Sequence, residues 1–113
     1  MSYLLEHGLE SRRDAVVALC RQFGVESLDV FGSAVTGRFD PMRSDYDFIV
    51  RFHHDPQVTV ARRYLAFSQA LETLLGRPVD LMTDHPIDNP YLRQSIAATR
   101  RPLYVDPAAQ ALA

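Results

Sequence analysis

The segment Asp45–Phe52 reads DYDFIVRF, and its alternation leaves few folds open to the chain. Successive side chains of a strand point to opposite faces. Tyr46, Phe48, Val50 and Phe52 therefore share one wholly apolar face, while Asp45, Asp47, Ile49 and Arg51 share the other. The apolar face must be buried under other elements. The second face begins with two acids about 7 Å apart along the backbone. Aspartate is a poor strand former and costly to bury unpaired, so something at the start of this strand must compensate it.

The rest of the chain supplies the cover. Residues 9–23 carry Leu9, Val16, Leu19, Cys20 and Phe23 at helical spacing and stop at Gly24. VESLDVFG then alternates as a strand up to Gly32, and TGRFDPMRS reads as a loop before DYDFIVRF. DPQVTV leads into a long helix with Val60, Tyr64, Phe67, Leu71 and Leu74 on one face, ended by Gly76 and Pro78. PVDLMT is a third, short strand. Asn89-Pro90 is a helix start, a side-chain cap followed by proline at the first helical position. The helix YLRQSIAATR and a final strand RPLYV follow, and the tail DPAAQALA is expected to fray. The order predicts an α/β (α+β) domain: a single mixed β-sheet with helices packed on one face. A chain of 113 residues suits one core without a second lobe, with the domain over residues 1–106 and the tail over 107–113.

Charge narrows the partners. All twelve basic residues are arginines, spread from Arg12 to Arg101, and the net charge is −2. That balance gives no broad basic field, so stable nucleic-acid binding is not expected, whereas a short anion such as a nucleotide needs only a local cluster. The single cysteine, Cys20, excludes an internal disulfide and a cysteine-based zinc site, and it reads as a buried inert thiol. No basic leader followed by an apolar run and no membrane-length apolar window is present, so a cytoplasmic protein is expected.

Two further features gather round the acids. In PVDLMT, Val79 and Leu81 belong with the core, which sends Asp80 to the opposite side. If that strand neighbours DYDFIVRF, Asp80 joins Asp45 and Asp47. Such a trio repels itself, the chain has no lysine to relieve it, and an all-oxygen set suits Mg²⁺ or Mn²⁺ with positions left for water and phosphate. Residues 45–56 lack the central glycine and closing glutamate of a helix-loop-helix calcium site. Ahead of the acids, Gly32 ends a strand where a ligand can approach the backbone, and Ser33 is expected to cap the short turn Ala34-Val35-Thr36, which Gly37 ends. A strand running into a helix start presents free N–H groups to phosphate. The G-x-x-x-x-G-K loop is absent.

Gly32-Ser33, a spacer of eleven residues, Asp45-x-Asp47 at a strand start and Asp80 after a long helix together resemble the nucleotidyltransferase superfamily typified by DNA polymerase beta. The likeness is greatest to its minimal bacterial and archaeal members, often encoded beside a HEPN-domain protein. The resemblance implies that Asp45, Asp47 and Asp80 are catalytic and hold two Mg²⁺ ions, with Mn²⁺ as a substitute. It implies that Gly32 and Ser33 hold nucleotide phosphates, and Ser44 is grouped with them. Many minimal members carry arginine where this chain has Thr36, and Arg38 or Arg43 from the same loop is the expected substitute. The implied reaction moves a nucleoside monophosphate, AMP from ATP, onto a hydroxyl and releases pyrophosphate, with Asp80 as proton acceptor. The implied role is that of an antitoxin modifying a tyrosine of a HEPN toxin.

Other readings remain at this point: a non-catalytic antitoxin acting by contact, and an enzyme modifying a small molecule. Acceptor recognition falls to a partner or to a second copy in a homo-oligomer, since no acceptor lobe fits. The chain is not itself the HEPN ribonuclease, because no arginine precedes a histidine at a four-to-six-residue spacing. His53-His54-Asp55 reads as a solvated turn, and Arg62-Arg63 and Arg100-Arg101 as solvated or salt-bridged positions.

Overall fold

The computed structural model describes residues 7–37, 40, 45–83 and 88–107. The expected positions Arg38, Arg43 and Ser44, and the tail 108–113, lie outside the described residues. Nine elements follow in order: α1 (His7–Ser11), α2 (Arg13–Gln22), β1 (Val25–Phe31), α3 (Ser33–Thr36), β2 (Tyr46–Phe52), α4 (Val60–Leu75), β3 (Val79–Thr83), α5 (Pro90–Thr99) and β4 (Arg101–Val105). The strands form one mixed sheet in the order β3-β2-β1-β4. β1 runs antiparallel to β2 and β4, and β2 runs parallel to β3.

The parallel pair exists because α4 carries the chain back across the sheet. Thr59 caps α4 by accepting the Arg62 N–H at 3.2 Å, and Gly76 closes it in the left-handed conformation (φ 68°). Phe67, Leu71 and Leu75 line its buried face. Two side chains then tie the helix to β3: the Tyr64 hydroxyl donates to the Leu81 carbonyl, and Glu72 Oε2 accepts the Val79 N–H at 3.1 Å. The main core lies between the α2–α4 layer and the face of the sheet that bears Leu28, Val30, Tyr46, Phe48, Val50 and Leu81. Cys20 is fully buried in that core, and burial pushes its thiol up to about 12, which keeps it protonated and inert.

Several local expectations change. The helix expected over residues 9–23 is broken at Arg12 into α1 and α2. Ser33 is the first residue of α3 and Gly32 is its cap, without a side-chain cap bond. On α4 the buried stripe includes Arg63, whereas Val60 is 54% exposed.

The larger difference concerns the second face of the sheet. α2 and α4 cover one face as expected, but α5 lies on the other. There Ile96 and Leu92 pack on Phe31, Ile49 and Met82, the residues of opposite parity to the main core. Asn89 starts this helix as the sequence predicts, its side chain accepting the Tyr91 and Leu92 N–H groups at 2.9 and 3.2 Å. The physical reason for the second layer is plain in β2: Ile49 is apolar on the acid face and needs a cover of its own. The acids therefore occupy the open end of a face that α5 otherwise closes.

Candidate active site

Asp47 and Asp80 are registered partners across the parallel β2–β3 pair, so their side chains leave the sheet on the same face. Neighbouring strands lie about 4.8 Å apart, which brings the two carboxylates within reach of each other. Asp45 stands one residue ahead of β2 and is exposed. On the other side of Asp47, β1 ends with Phe31 as its registered partner, and Gly32 follows directly.

Gly32 is required at that point for two reasons. Its backbone sits at φ 78°, ψ −144°, a conformation that L side chains rarely adopt. A Cβ there would lie 2.7 Å from Asp47 Oδ2. The glycine thus leaves the room that the carboxylate occupies. Its N–H donates to Thr99 Oγ1 at 2.8 Å, and the Thr99 hydroxyl donates to the Ser95 carbonyl at 2.8 Å. α5 is therefore the second support of the turn. Sequence reasoning missed Thr99; its only signal is the four-residue Ser95–Thr99 spacing at a helix end.

The electrostatics mark Asp47 as the strained member. Burial first, then the charge of Asp80, then that of Asp45, raise its pKa from 3.8 to about 6. Among the described residues no arginine pairs with any of the three carboxylates. Nor, among the described residues, do three His, Cys, Asp or Glu side chains yet stand at metal-ligand spacing. By chemistry Asp45, Asp47 and Asp80 are all-oxygen donors, the type that suits a hard divalent cation.

The remaining singled-out residues lie elsewhere. His53 Nε2 meets Asp106 Oδ2 at 2.6 Å at the far end of β2, and Asp55 Oδ1 accepts the Gln57 N–H, so the His-His-Asp run is a structural turn. Arg63 is buried rather than solvated. Arg100 pairs with Asp29 through its Nε.

A family model described as "Nucleotidyltransferase domain" matches residues 13–103. The chain belongs to the nucleotidyltransferase-domain family. Within that family it is 36% identical over 75 residues to "Putative protein adenylyltransferase MJ1379" of Methanocaldococcus jannaschii, a match covering 66% of this chain and 73% of that protein. The nucleotidyltransferase fold also superposes on a solved "putative minimal nucleotidyltransferase" with a TM-score of 0.67 and 29% identity, covering 90% of this chain and 99% of the other. A chain from the complex of a tri-AMPylated Shewanella oneidensis HEPN toxin with MNT antitoxin shares the fold at a TM-score of 0.59 and 18% identity, covering 91% of this chain and 77% of that one. This nucleotidyltransferase has no helix among the described residues long and apolar enough to cross a membrane.

Proposed function

We propose that this nucleotidyltransferase transfers AMP from ATP onto a hydroxyl, that of a tyrosine on a HEPN-domain toxin, and thereby acts as the antitoxin of the pair. The observation that carries the reading is the side-by-side placement of Asp47 and Asp80 on one face of the sheet, with Gly32 against Asp47. A pure contact inhibitor gains nothing from holding Asp47 with its pKa raised to about 6. Support for AMP and a HEPN acceptor comes from the adenylyltransferase name of the archaeal relative and from the AMPylated toxin bound by an antitoxin of the same fold.

The chain's own groups divide the work. Asp45, Asp47 and Asp80 would hold Mg²⁺, which would supply charge neutralisation for the phosphates and acidify the attacking hydroxyl. The Gly32 N–H is already held by Thr99, so the donors left at the turn are the first N–H groups of α3, at Ser33 and Ala34, with the Ser33 hydroxyl beside them. These orient the phosphates for in-line displacement. Asp80, exposed on the edge strand β3, is open to an incoming acceptor and takes its proton. The bond from the attacking oxygen to the α-phosphorus forms as the bond to pyrophosphate breaks.

The test incubates the protein with labelled ATP, Mg²⁺ and the protein encoded by the neighbouring gene. Label transfer to a toxin tyrosine is expected. Asp47→Asn should lower it on the order of 10²–10³-fold. No transfer with any nucleotide, together with toxin inhibition that survives Asp45→Asn and Asp47→Asn, would establish contact neutralisation instead.

A further inference from the structure

At the end of the sheet remote from the acids, a cavity of about 480 Å³ opens between the α2–β1 turn, the loop after β2 and the first turns of α4. Arg21, Arg62 and Arg63 form part of its wall, Phe23 and Ala66 add apolar surface, and Asp55 is the acid among the lining residues.

Arg63 is the informative member. It is only 8% exposed, and its guanidinium carbon lies 4.8 Å from the centroid of the Phe52 ring. Nη2 donates to the His53 carbonyl at 2.7 Å, Nη1 reaches the Gly24 carbonyl at 3.4 Å, and Nε is buried without an acceptor. Gly24 is itself shaped by this contact, since a Cβ there would lie 2.9 Å from Nη1. Both acceptors are neutral, and among the described residues no carboxylate pairs with Arg63. A buried cation held by carbonyls alone keeps its unneutralised field, which is costly unless an anion comes near. Arg21 and Arg62 add their charges at the same wall, and neither pairs with an acid among the described residues. Against them stands Asp55, one of whose oxygens already accepts the Gln57 N–H at 2.9 Å. Three cations face one anion.

We propose that this cleft is a second binding site, for a small phosphate-bearing molecule with a flat apolar body. Guanidinium groups match phosphate through paired N–H donors, and the Phe23 side of the wall receives the body. The volume lies within the range of small-molecule sites. The cleft is separated from Asp47 by most of the length of β2, about 17 Å at 3.3 Å per residue. It also differs in kind: the acid end needs a cation before it can accept a phosphate, and this end does not.

The test is an amide NMR titration of the full chain with AMP as the probe, in EDTA and at fixed ionic strength, with adenosine in parallel. Saturable shifts at Phe23, Gly24, Val58 and Ala66 are expected with AMP and not with adenosine. The double variant Arg21→Gln/Arg62→Gln should bind on the order of 10²-fold more weakly, since two charged hydrogen bonds to the phosphate are lost. Asp47→Asn should bind AMP as the wild type does. Shifts confined to Gly32, Ser33 and Asp47, equal binding of adenosine, or a double variant that binds like wild type would each overturn the proposal. None of these readouts depends on catalysis, so they stand or fall apart from the transferase reading.

Discussion

Replacing Asp47 with asparagine should make the protein more stable at neutral pH while removing its activity. The side chain keeps its shape and loses a charge that the fold holds at a cost. The rise from 3.8 to about 6 is about two pKa units, and at about 1.4 kcal/mol per unit the bound is about 3 kcal/mol. Asp47 is only partly buried, and solvent screening brings the expected gain to about 1–2 kcal/mol. The direction with pH follows from proton linkage. The folded carboxyl binds its proton more tightly than the unfolded one, so between pH 3.8 and about 6 the folded state carries more protons and stability falls as pH rises. Below 3.8 both states are protonated and the wild type loses nothing; above about 6 the penalty is complete. Thermal unfolding in EDTA at pH 3.5, 5 and 7.5 reads this out. The variant should melt about 4–8 °C higher at pH 7.5 and level with wild type at pH 3.5. A variant that melts lower at pH 7.5, or a gap that does not change with pH, would refute the reasoning.

Other outcomes follow from the same contacts. Gly32→Ala forces a left-handed conformation on an L residue and drives a methyl onto Asp47; a loss of about 1–3 kcal/mol is expected in denaturant unfolding, with activity lost. Thr99→Val orphans the Gly32 N–H, at about 1–3 kcal/mol, and lowers turnover, whereas Thr99→Ser should restore both. Phe67→Ala empties a fully buried site beside Phe23 and Phe52; urea titration should show a loss of about 3–5 kcal/mol. Mg²⁺ added to the nucleotide-bound protein should raise the melting temperature of the wild type and leave Asp47→Asn unmoved.

Much of this architecture is legible in the sequence because the relevant signals are local. The two-residue period of DYDFIVRF places Asp45 and Asp47 on one face, and the same period in VDLM sends Asp80 to meet Asp47. Asn89-Pro90 carries its own capping chemistry and starts α5 where expected. What was not legible depends on the tertiary meeting of distant segments. A single Ile49 on an acid-bearing face gives little warning of a helix layer, which takes shape only when Phe31, Met82, Leu92 and Ile96 are brought round it. Arg63 reads as a surface position by type, and its burial follows from carbonyls at Gly24 and His53 that lie 39 and 10 residues away. Gly32 is predicted as an open approach for a ligand. Its further role, clearing space for Asp47, needs the β1–β2 register.

The tie between α4 and β3 gives the acid cluster an odd–even rule. β3 is delivered to β2 by a helix that pins it twice, through Tyr64 near its start at Leu81 and through Glu72 near its end at Val79. Its strand parity is therefore counted off from the helix end through Gly76, Arg77 and Pro78. One residue inserted in that short connector would bring Val79 into the place of Asp80 and turn the carboxylate into the core, whereas two would preserve the face and shift only the position along it. For this protein, the spacing between a helix end and an aspartate is as much a part of the chemistry as the aspartate itself.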